Sequence, residues 1–262
     1  MPFYFIRQQN VTDRIVEIGL PLSHHLIRVL RHQNGDAVTL IDETGKKYEA
    51  KIIAISSHSL SLHVLSEERQ TIAQPQIHVG IALTKGDRID WVIEKATELG
   101  VARISPIYTR RVVIKPKDHR AGHQLAGAGP QKRWGEIAKE AAQQSERWDI
   151  PKIDLPVMFD LFLEQTQSVD LKLICWEGEA PSVTIGKELG HSDGSSIANC
   201  ALLIGPEGGW ELEEVDIAKK RGYRSISLGD RPLRADTAAI TAIAILQYEL
   251  KRYDVSCGRT NG

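Results

Sequence analysis

No apolar run in this sequence approaches the roughly 18 residues that a membrane-spanning helix requires, so no membrane span is expected. Cysteine is scarce. Cys175, Cys200 and Cys257 are odd in number and far apart, with no CxxC pair and no nearby His at metal-ligand spacing, and they read as reduced thiols with no metal site. Neither charge is in surplus: 33 Lys and Arg face 34 Asp and Glu, which denies the chain a global basic field and confines any nucleic-acid function to local clusters. GxGxxG, the P-loop pattern, HExxH, GxSxG and an EF-hand loop are all missing, which leaves dinucleotide, nucleotide-triphosphate, metalloprotease, α/β-hydrolase and calcium chemistry without support. The start, MPFYFIRQQN, lacks the cationic, then apolar, pattern of a secretory leader, and a cytoplasmic protein is the expectation.

What is present is ordinary globular composition, 42% apolar and 26% charged over 262 residues, enough for one large domain or two of usual size. Residues 1–72 read as mostly β. AVTLID (37–42) and YEAKIIAIS (48–56) flank a Gly-containing turn as a hairpin, and SLSLHVL (59–65) alternates as a third strand. A helix is predicted over 22–32, with Ser23 as its cap, Leu26, Val29 and Leu30 on one face, and Arg28 and Arg31 elsewhere. The whole resembles a small barrel.

The polar stretch SEERQTIAQPQ marks a boundary, after which strands and helices alternate as in an α/β domain over 73–255, leaving 256–262 as a disordered tail. QIHVGIAL, RISPIYT, LKLICW, CALLIGP and RSISLG read as strands. Arg88 to Leu99, Gln131 to Trp148 and Thr237 to Tyr253 read as helices, the last capped by Asp236 or Thr237.

Two strand ends carry glycine loops. In LLIGPEGGWELEEVDIAKKRGY, Gly205, Gly208 and Gly209 would let a ligand approach bare main chain at the carboxyl end of a strand, where open α/β sheets bind ligands. Glu207, Glu211, Glu213, Glu214 and Asp216 would repel a polyphosphate, so a neutral or cationic ligand suits the loop better. Glu213 and Glu214 are equally what a helix start needs to complement its dipole, and the local residues leave both readings open. The second loop lies in SLGDRPLRADTAAITAIAILQ, and the two loops together could enclose one ligand. TRRVVIKPKDHR has five Lys or Arg against one Asp; with Arg7, Arg28, Arg31, Arg147 and the nearby Trp134 and Trp148 it forms a candidate phosphate-tracking surface. A solvated charged surface is the alternative.

LTKGDRIDWVIEKATELGV (83–101), RRVVIKP (110–116), RWGEIAKEAAQQSERWDIPKI (133–153), LLIGPEGGW (202–210) and SLGDRPLRADTAAITAI (227–243) resemble, in order and spacing, the RsmE-type methyltransferases of the SPOUT superfamily. These enzymes methylate N3 of a uridine in 16S ribosomal RNA of the small subunit. HHLIRVLRHQNGDAV is similar to that family's RNA-binding barrel.

The resemblance implies a C-terminal SPOUT domain of α/β class with a deep trefoil knot, a PUA-like β-barrel before it, S-adenosylmethionine as cofactor, no metal, and a homodimer acting on 16S rRNA in the assembled small subunit. Ile204, Gly205, Pro206, Glu207, Gly208, Gly209, Ser227, Leu228 and Gly229 would wrap the cofactor, with Leu233 beside it and Arg234 as the catalytic residue near the methyl acceptor. Arg7, Arg28, Arg31, Arg110, Arg111, Lys115 and Arg147 remain the RNA-binding candidates. One departure stands out: the family's Thr-Glu-Thr after that Arg is here Ala235-Asp236-Thr237, which keeps the charge but shortens its reach by one methylene. Another RNA, such as transfer RNA, and RNA binding without catalysis are the rival readings.

Overall fold

The computed structural model describes residues 3–69, 75–84, 87–112, 128–190 and 197–256. The chain divides into two compact units, one of Met1–Ile72 with Lys139–Ile150, the other of Ala73–Ala138 with Pro151–Gly262.

The first unit contains strands β1 (Phe3–Ile6), β2 (Val11–Thr12), β3 (Ile15–Ile18), β4 (Ala37–Asp42), β5 (Lys46–Ile55) and β6 (Leu60–Arg69), ordered β1-β4-β5-β6-β3-β2. Only the β1–β4 pair is parallel. Register shifts at Glu49/Ala50 and Ile52/Ala54 bend the long β5–β6 ribbon, as bulges do. Tyr4 from one edge and Val16 and Ile18 from the opposite side of the sheet share a core with Leu40, Ile52 and Leu62, so the sheet curls around its own apolar face. Strand β4 is buried on both faces: Val38 and Leu40 point inward, while Ile41 packs with Phe3, Phe5 and Ala142, against which Trp148 lies. That explains why AVTLID shows no clean alternation.

The hairpin turn is held by Asp42, whose buried carboxylate accepts from Thr44 N at 2.8 Å, Thr44 Oγ1 at 2.6 Å, Lys46 N at 3.1 Å and Tyr48 OH at 2.7 Å. Burial works against its ionisation, but these donors prevail and hold its pKa below the usual carboxylate value.

The helix expected over 22–32 is not regular. A single α-turn, α1 (Leu22–His24), runs into a π-turn over His25–Val29, closed by Leu30 N donating to His25 O at 3.1 Å. The wider turn breaks the 3.6-residue spacing: Leu26 is buried, but Val29 and Leu30 are 59% and 43% exposed. Ser23 is no cap either. It is buried and donates to His58 O at 2.9 Å.

The second unit holds β7 (Gln76–Ala82), α2 (Arg88–Glu98), β8 (Arg103–Tyr108), α3 (Ala128–Gln144, whose last residues belong to the first unit), β9 (Lys152–Ile153), β10 (Val157–Met158) and α4 (Phe159–Gln165). It continues with β11 (Leu171–Cys175), α5 (Ile185–Gly190), β12 (Asn199–Ile204), α6 (Leu212–Lys220), β13 (Arg224–Ile226) and α7 (Ala235–Ser256). The strands form one parallel sheet ordered β10-β8-β7-β12-β11-β13, with β9 beside β8. Parallel strands covered on both faces read as continuous apolar runs, as Leu202, Leu203 and Ile204 do.

Gly80 fits this packing because the Phe162 ring of α4 lies where a Cβ would stand. Helix α2 ends at Gly100, φ +84°, and Gln247 of α7 donates to Leu99 O at 3.0 Å, satisfying one of the carbonyls its end leaves open. Helix α7 starts at Ala235, with Arg234 O accepting from Ala238 N at 2.8 Å. Asp236 and Thr237 are therefore first-turn residues, not caps; the Asp236 carboxylate accepts from Thr237 N at 2.8 Å. Helix α3 stops at Gln144, so Trp148 lies beyond it.

Near the amino ends of β7 and β8, His78 Nε2 lies 2.7 Å from Ser105 Oγ, which donates to Asp154 at 2.5 Å; Arg103 grips the same carboxylate at 2.6 and 3.1 Å. Burial, then the Arg103 charge, push the His78 pKa down from 6.5 to about 4. The unfolded chain therefore binds a proton that the folded one refuses as pH falls through this window. Stability from this group is complete above pH 6.5 and is lost toward pH 4, up to about 3 kcal/mol. Urea unfolding at intervals from pH 7 to 4 should show that slope in the unaltered protein and a shallower one in His78→Gln; equal slopes would exonerate His78.

Candidate cofactor site at the strand ends

The carboxyl ends of β11, β12 and β13 converge on a cavity of about 340 Å³. Cys175, Trp176 and Glu177 come from the first end, Ile204, Gly205, Pro206 and Trp210 from the second, and Ser227 to Leu233 from the third; Ala235 and Ala238 of α7 close it. This size lies within the range of small-molecule sites.

Trp210 joins these ends. Its indole is buried, donates from Nε1 to Cys175 O at 2.8 Å and packs beside the Phe159 ring with centroids 5.5 Å apart. Gly205 makes room for it, since a Cβ there would lie 2.8 Å from Trp210 Nε1. The third end is tied by Trp176 N donating to Ile226 O at 3.0 Å, and Ser227 shapes its own turn, accepting from Gly229 N at 3.2 Å. Gly229 has φ +122°, a conformation glycine adopts without strain. Cys175 is buried, and burial pushes its thiol up to about 12, so it is a neutral wall group and no nucleophile.

Of the residues expected to wrap a cofactor, Ile204, Gly205, Pro206, Ser227, Leu228, Gly229 and Leu233 line this cavity. Glu207, Gly208 and Gly209 do not. Gly209 N donates to Pro206 O at 2.9 Å, closing a turn whose tip is exposed, and Gly209 has φ +71°. Arg234 is exposed and lies between two lining residues without lining the cavity itself. Sequence reasoning passed over Cys175, Trp176, Glu177, Trp210 and Asp230 to Pro232. A signal existed for the first group: LKLICWEG is an apolar run ending in glycine, the pattern that singled out the other two loops.

The acidic stretch meets distant arginines. Arg88 pairs with Glu207, Arg110 with Glu211 and Glu213, and Arg111 Nη1 donates to Gly208 O at 2.9 Å. Glu214, 2% exposed, accepts from Arg110 N at 2.9 Å and Glu211 N at 3.0 Å, completing a capping box on α6. The repulsion inferred from the sequence is thus largely compensated, and these carboxylates hold the loop in place. Among the other RNA-binding candidates, Arg7, Arg28 and Arg31 are exposed in the first unit; the Arg147 side chain is only 12% exposed and pairs with Asp149 at 2.6 Å. Lys115 lies outside the described residues. No group of three or more His, Cys, Asp or Glu able to hold a metal occurs among the described residues, and no helix there is long and apolar enough to cross a membrane.

Residues 72–247, which include every residue lining the cavity, match the model of the RNA methyltransferase domain, and residues 21–65 match that of the RNA methyltransferase PUA domain. The chain belongs to the RNA methyltransferase family. It is 31% identical to the ribosomal RNA small subunit methyltransferase E of Synechocystis over 91% of this chain and 75% of that one. It is 28% identical to the enzyme of that name from Bacillus subtilis over 86% and 87%. The crystal structure of a ribosomal RNA small subunit methyltransferase E from Neisseria gonorrhoeae bound to S-adenosyl methionine superposes with TM-score 0.79 at 26% identity, covering 95% of this chain and 97% of that one.

Trp210 and Gly205 are predicted to act as one unit in this methyltransferase fold. Gly205→Ala should cost about 1–3 kcal/mol in urea unfolding, because the indole must leave its place. Gly208→Ala, whose Cβ would make only ordinary contact with Arg111 at 3.4 Å, should stay within about 0.5 kcal/mol. Equal costs would remove the wedge from the account.

Proposed function

We propose that this chain transfers a methyl group from S-adenosylmethionine to N3 of a specific uridine in 16S ribosomal RNA of the small subunit. The observation that carries the reading is the cavity where β11, β12 and β13 end, which lies within the residues that match the RNA methyltransferase domain. Its chemistry fits the cofactor. Ile204, Pro206, Leu228, Ala235 and Ala238 offer apolar walls for an adenosine, and Gly205 and Gly229 expose main chain to it. The rim has charges of both signs, Asp230 and Arg231, for a zwitterionic tail. Bound there, S-adenosylmethionine supplies an electrophilic methyl on a sulfonium. The protein's own task is to hold the acceptor nitrogen in line with that methyl and to exclude water.

Uridine N3 must give up its proton, leaving negative charge on the uracil ring. Arg234, just before α7 and next to Leu233, is the group we assign to stabilise that charge. We further propose that residues 1–72 bind RNA through Arg7, Arg28 and Arg31, and that residues 73–255 perform the transfer. The C-terminal segment threads a deep trefoil knot in this reading; support comes from β12 inserted between β7 and β11, with α7 returning to pack on β12, α2 and α5. The working form is a cytoplasmic homodimer, for which Ile245 and Tyr248, 38% and 62% exposed on α7, offer an apolar face.

Small subunits from cells lacking the modification, incubated with the protein and S-adenosylmethionine, should yield 3-methyluridine by mass spectrometry of digested rRNA. Absence of product on intact subunits would overturn the reading. Arg234→Ala should lower turnover roughly a hundredfold with donor affinity nearly unchanged; full turnover would take Arg234 out of the reaction.

A further inference from the structure

Glu177, Glu179, Glu207, Glu211 and Asp230 stand on the loops that leave β11, β12 and β13. Three of them are engaged within the protein. Glu179 accepts from Ser225 Oγ and from Ala180 N at 3.1 Å, with Lys219 Nζ 3.6 Å away; Glu207 pairs with Arg88, and Glu211 with Arg110. Glu177 and Asp230 have no hydrogen-bond or ion-pair partner among the described residues, and both line the cavity. Glu177 is the better anchored. Its carboxylate lies over Gly209, where a Cβ would collide with Oε1, and Gly209 is further committed to glycine by φ +71°. Two residues before it, Cys175 O is fixed by the Trp210 indole. An unpaired carboxylate is thus held beside the cavity by structure that does not itself use the charge.

We propose that Glu177 makes this site distinguish the methyl donor from the spent product. This rests on the function proposed above. S-adenosylmethionine and S-adenosylhomocysteine share the adenosine, the ammonium and the carboxylate; they differ in a methyl group and in the positive charge on sulfur. A carboxylate close to the sulfur interacts with that difference alone, attracting the sulfonium and gaining nothing from the thioether. Arg231, on the same rim, suits the carboxylate that both molecules carry and contributes nothing to the discrimination. Glu177 thus favours donor entry and, after transfer, product departure.

Isothermal titration calorimetry of the full chain, with each nucleoside separately, tests this. In Glu177→Gln, a near-isosteric change at an exposed position, donor affinity should fall about tenfold while product affinity holds, so the donor-to-product ratio drops by the same factor. Sinefungin, which carries an ammonium in place of the sulfonium, should lose affinity in parallel with the donor. If donor and product weaken equally, the carboxylate touches a group the two share, and the proposal fails. If neither changes while the unaltered protein binds the donor, Glu177 is idle and the proposal fails with the function intact. No donor binding by the unaltered protein would sink both.

Discussion

The site depends on one buried hydrogen bond, from the Trp210 indole to the carbonyl of Cys175. Parallel strands end in groups that no longer pair with a neighbour, and three such ends would splay without something between them. The indole fills that role because it is large, apolar over most of its surface, and has a single donor that the free carbonyl of the adjacent strand satisfies. Its place requires the absence of a side chain at Gly205. The glycine that looks made for a ligand is thus also made for a tryptophan five positions later, and the cavity wall is what the two leave open.

That dual use explains much of what was and was not legible in the sequence. The strands of the parallel sheet were readable because burial on both faces writes continuous apolar runs, and strand-end glycines marked Gly205 and Gly229 as cavity residues. The third wall, Cys175 to Glu177, bears the same mark and was passed over only because it lacks an acidic or glycine-rich continuation as conspicuous as GPEGG. Other features had no local signature. The π-turn after His24 follows from Leu26 reaching the curled core and Ser23 reaching His58, both tertiary demands that override an acceptable helical pattern. Likewise Lys139–Ile150 belongs with residues far earlier in the chain because Ala142 and Trp148 cover Phe3, Phe5 and Ile41. Apolar spacing shows that a face needs cover but not which segment supplies it.

The charges carry the same lesson in sharper form. Along the chain, the acids after Gly205 stand together and suggest repulsion toward anything anionic. In space, Arg88 reaches them from the start of α2 and Arg110 from the turn after β8, and Glu214 spends its carboxylate on two main-chain donors. Exposed pairs of this kind add only about 0.2–1 kcal/mol each, so their effect lies less in stability than in fixing the direction of the Pro206–Gly209 turn. Once those acids are committed, the electrostatics of the cavity are set by side chains left uncommitted. Arg231 and Asp230 come from the loop after β13, and Glu177 comes from the loop after β11, the strand whose last carbonyl Trp210 holds. A net charge read from sequence averages over both kinds; what a cationic ligand senses is the remainder after internal pairing. At this site that remainder, Arg231 against Asp230 and Glu177, leaves one negative charge in sum, divided among separate points of the rim, which is the distribution a zwitterionic ligand with an additional positive centre requires.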